Sequence, residues 1–522
     1  MKKSLTSFMN FTLNRLNKFL RILFYASISI TLVVQGYSLV KYANFILFDE
    51  WLGRGLYPGI AFFHGFDFYE PKTGPHVTLY GWATGLFYGI AGIAENPNSA
   101  AWIAFSINVT SFFCISFLIF RNFLSNKSLA CPAVSALCLS SICFSAHLFD
   151  PTTEGITRIH ADLPAMFFLL LGIFFFLKFK EKNKESTLYL LLCSFSLVLS
   201  TWAKLPTLFA IGFPFILLML NKEFSRSLNY LLFTSLFFGV TLLVSGLAYG
   251  FEDMKFILWD HTSQGSWNDR DNLFEGKNAE NSKLSFLETI PLLLRFCIMY
   301  LAEYYHFVLS ALTCILVSFS PLLQSVQKYL LRSVGCCFIL LIPTGIAALA
   351  HFGGVENSLL FCNSMGILCM LFLLLILIQN FASSSLFVVF IALIALLMSF
   401  PVARRAKSFH NDPAISPQMQ AYDYLSKGKR DVYFGWYPVA HAMHDKANLT
   451  CIEVPTWVGM NLPDEIHFDS THFPEGAKYL ATCIVGYGST TLQKYLGSLE
   501  EVSSPSELSH WRLFKIAENQ TR

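Results

Sequence analysis

The chain has 522 residues, of which 54% are hydrophobic, 16% aromatic and only 14% charged, with a formal net charge of +3. A soluble domain carries roughly 25% charged residues, so this composition and a mean hydropathy of +0.50 exclude an ordinary water-soluble enzyme. No basic stripe interleaved with aromatic residues occurs, which excludes nucleic acid as a partner.

Lys2, Lys3, Arg15, Lys18 and Arg21 precede an apolar run from about Ile22 to Ala43. That run is too long for a signal-peptide core and lacks a small-residue cleavage site, so it reads as a first spanning helix with its start in the cytoplasm. Further uncharged stretches, each of roughly membrane-crossing length, fall at 98–120, 128–148, 162–180, 186–201, 204–220, 228–250, 304–323, 331–351, 357–378 and 384–401. Short basic loops lie at Arg121–Lys127, Lys178–Lys184, Lys222–Arg226 and Lys328–Arg332. Placing all four in the cytoplasm gives about 11 crossings and an extracytoplasmic C-terminus. This topology requires residues 77–94 to be interfacial or re-entrant, as Pro75, His76, Tyr80, Trp82, Tyr88 and several glycines suggest. Residues 285–303, with Glu288, Arg295 and Glu303, read as interfacial too. The 13 cysteines are scattered, mostly inside spans, and read as small packing residues.

Beyond Pro401 the composition becomes that of a soluble domain. Residues 431–435 and 479–485 read as buried strands, 416–427 as a helix with Ser416 as its cap, Pro417 at its first position and Gly428 as its stop, and 490–500 as another helix, so 402–522 is expected to form a small α/β domain behind a membrane domain of residues 1–401. The fold class is therefore an all-α polytopic membrane domain, with interfacial helices in its first external loop, carrying a C-terminal extracytoplasmic α/β domain.

Two external loops carry most of the candidate chemistry. The first (44–97) begins with Asp49 and Glu50 and continues through Asp67, Tyr69, His76 and Tyr80. Adjacent carboxylates at the end of a spanning helix stand where a lipid-borne substrate meets water, and can accept a proton from a hydroxyl or hold a metal ion. The second (149–161) contains Glu154, Arg158 and His160, and Asp162 opens the following span. Asp162 suits a helix start for dipole reasons alone. Arg158 and His160 suit a phosphate or diphosphate, Arg through its bidentate geometry, although interfacial anchoring accounts for Arg158 equally. Trp259 and His261, in the loop 251–284, suit stacking on sugar rings or anchoring at the interface. His441, His444 and Asp445 share one helical face and read as a surface helix rather than a metal site.

The order Asp49-Glu50, Gly65-x-Asp67-x-Tyr69, Gly74-Pro75-x-x-x-Leu79-Tyr80, then Arg158-x-His160-x-Asp162-x-Pro164 and Lys204-Leu205-Pro206 resembles the GT-C superfamily of integral membrane glycosyltransferases. Within it the pattern is most similar to the protein mannosyltransferase and aminoarabinose transferase type, over about the first 220 residues. The resemblance implies a polyprenyl-phosphate-linked sugar as donor and a catalytic carboxylate matched by Asp49, with Glu50 beside it. It implies a second acidic residue, matched imperfectly by Asp162 or Glu154, and a basic residue facing the donor phosphate, matched by Lys204, where snorkelling at a helix start is the plainer account. No Asp-x-Asp pair appears in either loop, so no metal or other cofactor is assigned. The expected reaction is transfer of the sugar to a glycan, lipid or protein acceptor on the extracytoplasmic face of the plasma or inner membrane. Asp49 serves as general base, while Arg158, with Lys204 or His160, stabilises the leaving phosphate. Asp67, Tyr69, His76, Tyr80, Trp259 and His261 complete the substrate loops. The alternatives are a polyprenyl-linked glycan polymerase or ligase, disfavoured because the late loops are short, and a transporter or flippase. The latter would bury ionisable residues at mid-membrane depth, paired across helices, whereas the middles of these spans are nearly free of charge and the ionisable residues gather at one external rim.

Overall fold

The computed structural model describes residues 18–38, 40, 50–65, 81–124, 133, 135–136, 159–181, 187–255, 258, 267–268, 281–282, 286–350, 359–381, 389–397, 399–400, 417–434, 437–444, 476–483, 500–508 and 511–516. Apolar runs in lipid can satisfy their backbone groups only internally, and the apolar runs described here are helical. The first three helices are α1 (Lys18–Ser38), α2 (Glu50–His64) and α3 (Trp82–Tyr88), the last continued by a 3-10 turn over Gly89–Ile93. Next comes α4 (Pro97–Phe123), which starts where the Asn96 side chain accepts the Ser99 amide and Pro97 occupies the first helical position.

A hairpin follows: α5 (Asp162–Glu181), α6 (Thr187–Ala203), a 3-10 segment (Leu205–Ile211) and α7 (Gly212–Leu220). Lys204 is extended (φ −152°, ψ 121°), and Pro206 two residues on bars a continuous helix, so the chain breaks there. Then come α8 (Phe224–Tyr249), α9 (Phe251–Lys255), a two-residue ladder of β1 (Trp267–Asn268) with β2 (Asn281–Ser282), and helices α10 (Phe286–Glu303), α11 (Tyr305–Val317), α12 (Ser325–Ala350) and α13 (Leu360–Phe381).

Among the described residues, six helices are long and apolar enough to cross a membrane, or seven if the bent pair Leu293–Glu303 and Tyr305–Val317 is one span. The remaining expected crossings take other forms. Residues 186–201 and 204–220 appear as the shorter α6 and the α7 segment, 304–323 as the 13-residue α11, bent by 81° from its predecessor, 384–401 is helical over its described residues 389–397 and 399–400, and 128–148 lies almost wholly outside the described residues. The segment read as interfacial at 77–94 holds seven residues of α-helix and five of 3-10 helix, together too short to cross about 30 Å of hydrocarbon.

α5 is the central pillar, with 72% of its apolar window buried against 22% for α1 and α8. Ion pairs mark both of its ends. Lys180 pairs with Glu223, just before α8, and Asp162 pairs with Lys204, just after α6. About 27 Å of helix axis separates the two pairs, so α6 and the α7 segment, short as they are, each run the length between them.

The C-terminal part holds α14 (Pro417–Ser426), α15 (Pro438–His444) and a four-stranded sheet in the order β3 (Val432–Tyr433), β4 (Tyr479–Cys483), β6 (Trp511–Lys515), β5 (Glu500–Val502). β3 runs parallel to β4 and the other pairings are antiparallel. Tyr433, Phe434, Leu480, Trp511 and Phe514 form its separate core, and Gly428 (φ +78°) ends α14 as expected. Most of the helix expected over 490–500 lies outside the described residues, and its last residue, Glu500, opens β5. His441 corrects the surface-helix reading. It is 1% exposed and its Nε2 accepts the Phe434 amide at 3.0 Å, because α15 lies between the sheet and α2. The Tyr422 hydroxyl donates to the Glu95 carbonyl just ahead of α4, at 2.8 Å.

Candidate functional site

The segments read from sequence as the first and second external loops meet backbone to backbone. A Cβ on Gly55 of α2 would lie 1.8 Å from the Ile159 carbonyl oxygen and 3.1 Å from the His160 Cα, so only glycine permits this approach. A Cβ on Gly59 would lie 2.6 Å from the Cβ of Tyr88, which packs α3 onto the same face of α2. α3 in turn abuts the end of α6. Gly81 stands against the Trp202 carbonyl, and the Thr84 hydroxyl donates to the Ala203 carbonyl at 3.3 Å. The sequence achieves this with small residues wherever two backbones cross.

At this junction lies a buried charge cluster. Asp162, 7% exposed at the start of α5, takes the Lys204 ammonium on Oδ1 and meets His160 Nδ1 on Oδ2 at 2.6 Å. Lys204 Nζ also stands 5.8 Å from the centre of the Phe361 ring at the start of α13. One carboxylate thus shares two nitrogens, and the ammonium is already partly neutralised. Drawing Lys204 away to another anion would leave the buried Asp162 with His160 as its neighbour in this cluster.

Around the cluster, the Tyr88 hydroxyl stands 2.8 Å from Asn108 Oδ1 and 3.2 Å from the His160 carbonyl. The Trp82 indole, 6.0 Å from Trp202, buries an N–H that has no acceptor among the described residues. These aromatic residues suggested an interfacial helix from sequence, but Tyr88 is completely buried, since α2, α4 and the second loop enclose it. Asn108 was not singled out. The available signal was an amide in the interior of an apolar span, which needs a partner inside the protein.

Of the residues chosen from sequence, the structure brings together His160, Asp162 and Lys204. The backbone of Glu50 begins α2, which carries Gly55. Asp49, Asp67, Tyr69, His76, Tyr80, Glu154, Arg158, Trp259 and His261 lie outside the described residues. Among those described, no group of three His, Cys, Asp or Glu side chains is arranged to hold a metal ion.

No family model matches the sequence, and a search of curated proteins finds no match. Solved structures do overlap it. ArnT from Cupriavidus metallidurans bound to undecaprenyl phosphate covers 95% of this chain and 98% of its own, at 10% identity and a TM-score of 0.48. The Archaeoglobus fulgidus oligosaccharyltransferase in its apo form covers 88% of this chain and 70% of its own, at 12% identity and a TM-score of 0.45. The same archaeal protein, AglB, with an inhibitory peptide and a dolichol phosphate gives 0.40 at 12% identity, covering 88% and 69%. Likeness at this level concerns overall path only, and the chemistry rests on the residues of this chain.

Proposed function

We propose that this polytopic membrane protein is a glycosyltransferase that moves a sugar from a polyprenyl-phosphate-linked donor to an acceptor on the extracytoplasmic face. The observation that carries the reading is the contact of α2 with Ile159 and His160. It sets the segment that follows Asp49 beside the segment that contains Arg158, His160 and Asp162. The junction also lies at the end of α5 opposite Lys180 and Arg226, which belong to the basic loops assigned to the cytoplasm.

In the reaction the acceptor hydroxyl attacks the anomeric carbon as its proton passes to Asp49. The bond from that carbon to the phosphate oxygen breaks, and the polyprenyl phosphate leaves with the electron pair. Arg158 and Lys204, with His160, stabilise the growing charge in a site of low dielectric. Asp162 holds Lys204 until the phosphate arrives. Direct displacement inverts the anomeric centre. The prenyl chain stays in the bilayer, which accounts for a mostly apolar enzyme. Glu50 and the side chains of Asp67, Tyr69, His76, Tyr80, Trp259 and His261 contact acceptor or sugar, and Glu154 is the further acidic candidate. Residues 1–401 form the catalytic membrane unit and 402–522 the extracytoplasmic one, with a cytoplasmic N-terminus.

One observation favours a second reading. Asp162, buried at the start of α5, pairs with the half-buried Lys204 just beyond α6, and a transporter or flippase also pairs ionisable residues between elements. Reconstitution separates the two. Proteoliposomes supplied with a polyprenyl-phosphate sugar and acceptor yield glycosylated product by mass spectrometry, and Asp49→Asn lowers the rate by about 10² to 10⁴ with expression intact. Full activity in that variant removes Asp49 as the base, and movement of lipid-linked sugar without product identifies a flippase.

A further inference from the structure

The His160 carbonyl lies one residue ahead of the α5 N-cap, Ala161, whose own carbonyl accepts the first helical amide, that of Ala165; no amide of the helix is due to His160. The Tyr88 hydroxyl approaches this carbonyl from a different loop, at 3.2 Å, while meeting Asn108 Oδ1 at 2.8 Å. Tyr88 and Asn108 are both completely buried, where polar groups persist only if they are hydrogen-bonded. The backbone of His160 is therefore held from two sides by the first loop: by Tyr88 of α3 at its carbonyl, and by the bare Gly55 of α2 beneath its Cα. The ring carried by that backbone is the one in contact with Asp162.

We infer that Tyr88 and Asn108 are positioning residues for the Asp162–Lys204 pair. Their hydrogen bond sets the His160 backbone, and His160 in turn keeps the Asp162 carboxylate on Lys204. The first loop thereby fixes how firmly the lysine of the second site is engaged. As a statement about turnover, this rests on the glycosyltransferase reading; as a statement about geometry, it does not.

The test uses full-length protein in lipid nanodiscs, with Tyr88→Phe and, as a second variant, Asn108→Leu. Amine acetylation followed by mass spectrometry measures the labelling rate of Lys204 relative to Lys178 and Lys328, which belong to the opposite end. Lys204 labelling rises about fivefold in Tyr88→Phe, the factor that one net hydrogen bond supports, and the other two lysines are unchanged. An unchanged Lys204 rate, or an equal rise at all three, overturns the inference. In transfer assays Tyr88→Phe lowers kcat roughly ten- to hundredfold with little change in KM. It lowers nothing further in an Asp162→Asn background, because a residue acting through Asp162 has no effect once that carboxylate is neutral. Independent, additive losses overturn the inference. Wild-type protein without transferase activity defeats the functional reading alone, and the labelling result still decides the geometric one.

Discussion

At the basic end of α5, Lys180 meets Glu223, which Arg226 also holds; at the other end, Lys204 meets Asp162, which His160 also holds. Both clusters join one carboxylate to two nitrogen groups, but their surroundings differ. Glu223 and Arg226 keep 21% and 36% of their side chains exposed, while Lys180, with 5% of its side chain exposed, stands 4.8 Å from the centre of the Tyr329 ring. Burial works against the Glu223 carboxylate, yet hydrogen bonds from Lys180 and Arg226 hold it below its ordinary range. The Asp162 cluster instead depends on close backbone approaches at two glycines: Gly55 pressed on Ile159 and Gly81 pressed on Trp202. One end is a latch assembled from side chains. The other is held rigidly by its scaffold, as a site that must present charge in a fixed geometry would be.

The largest effect that would sharpen this contrast is at Asp162. Replacing it with Ala leaves the half-buried Lys204 ammonium without its carboxylate, and about 3 kcal/mol of stability, the low end for a buried pair, is lost. Asp162→Asn keeps the shape and loses most transfer. Thermal unfolding in detergent and the proteoliposome assay report the two effects. Gly55→Ala follows: its Cβ would meet the Ile159 oxygen at 1.8 Å, so the loops must part. A cost of about 2 kcal/mol with a matching fall in turnover is expected. Gly239→Ala in α8 has nothing within 4 Å and is the control, neutral or slightly stabilising. At the basic end, Glu223→Gln costs about 1–2 kcal/mol and leaves turnover per folded molecule intact. Loss of activity there would break the distinction between the two ends.

The smallest effect is in the C-terminal sheet. Hydrogen bonds from Arg512 and Lys429 hold Glu501 and Glu507 below their ordinary value of 4.5. Carboxylates depressed on folding contribute stability that is complete above that value and fades as the pH falls through the lower, folded one. Both are fully exposed, so unfolding of the full-length protein at pH 7 and pH 3.5 differs only slightly because of them, and Glu501→Gln with Glu507→Gln removes that part of the difference.

Much of the architecture could be read from the chain before any coordinates. Uncharged length marked the principal helices, and the Lys and Arg spacing marked the end of α5 that carries Lys180. Pro417 and Gly428 marked the limits of α14. The candidate site was legible as residue types, with His160, Asp162 and Lys204 all chosen. Their relation was not, since Lys204 was expected to face a phosphate and is bonded to Asp162. Tyr88 and His441 suited exposed positions by local pattern, and both are buried by elements distant in the chain.

The sequence by itself determined the solvent in which this protein folds, the helices that follow from it and the residue types available for chemistry. Hydropathy and charge act over one or two turns and need no partner. The tertiary structure alone decided which charges pair, which glycines let backbones touch and which polar groups are enclosed. Those outcomes depend on contacts between segments tens to hundreds of residues apart, such as Tyr88 with His160 and Tyr422 with Glu95, and no periodicity within a segment encodes them.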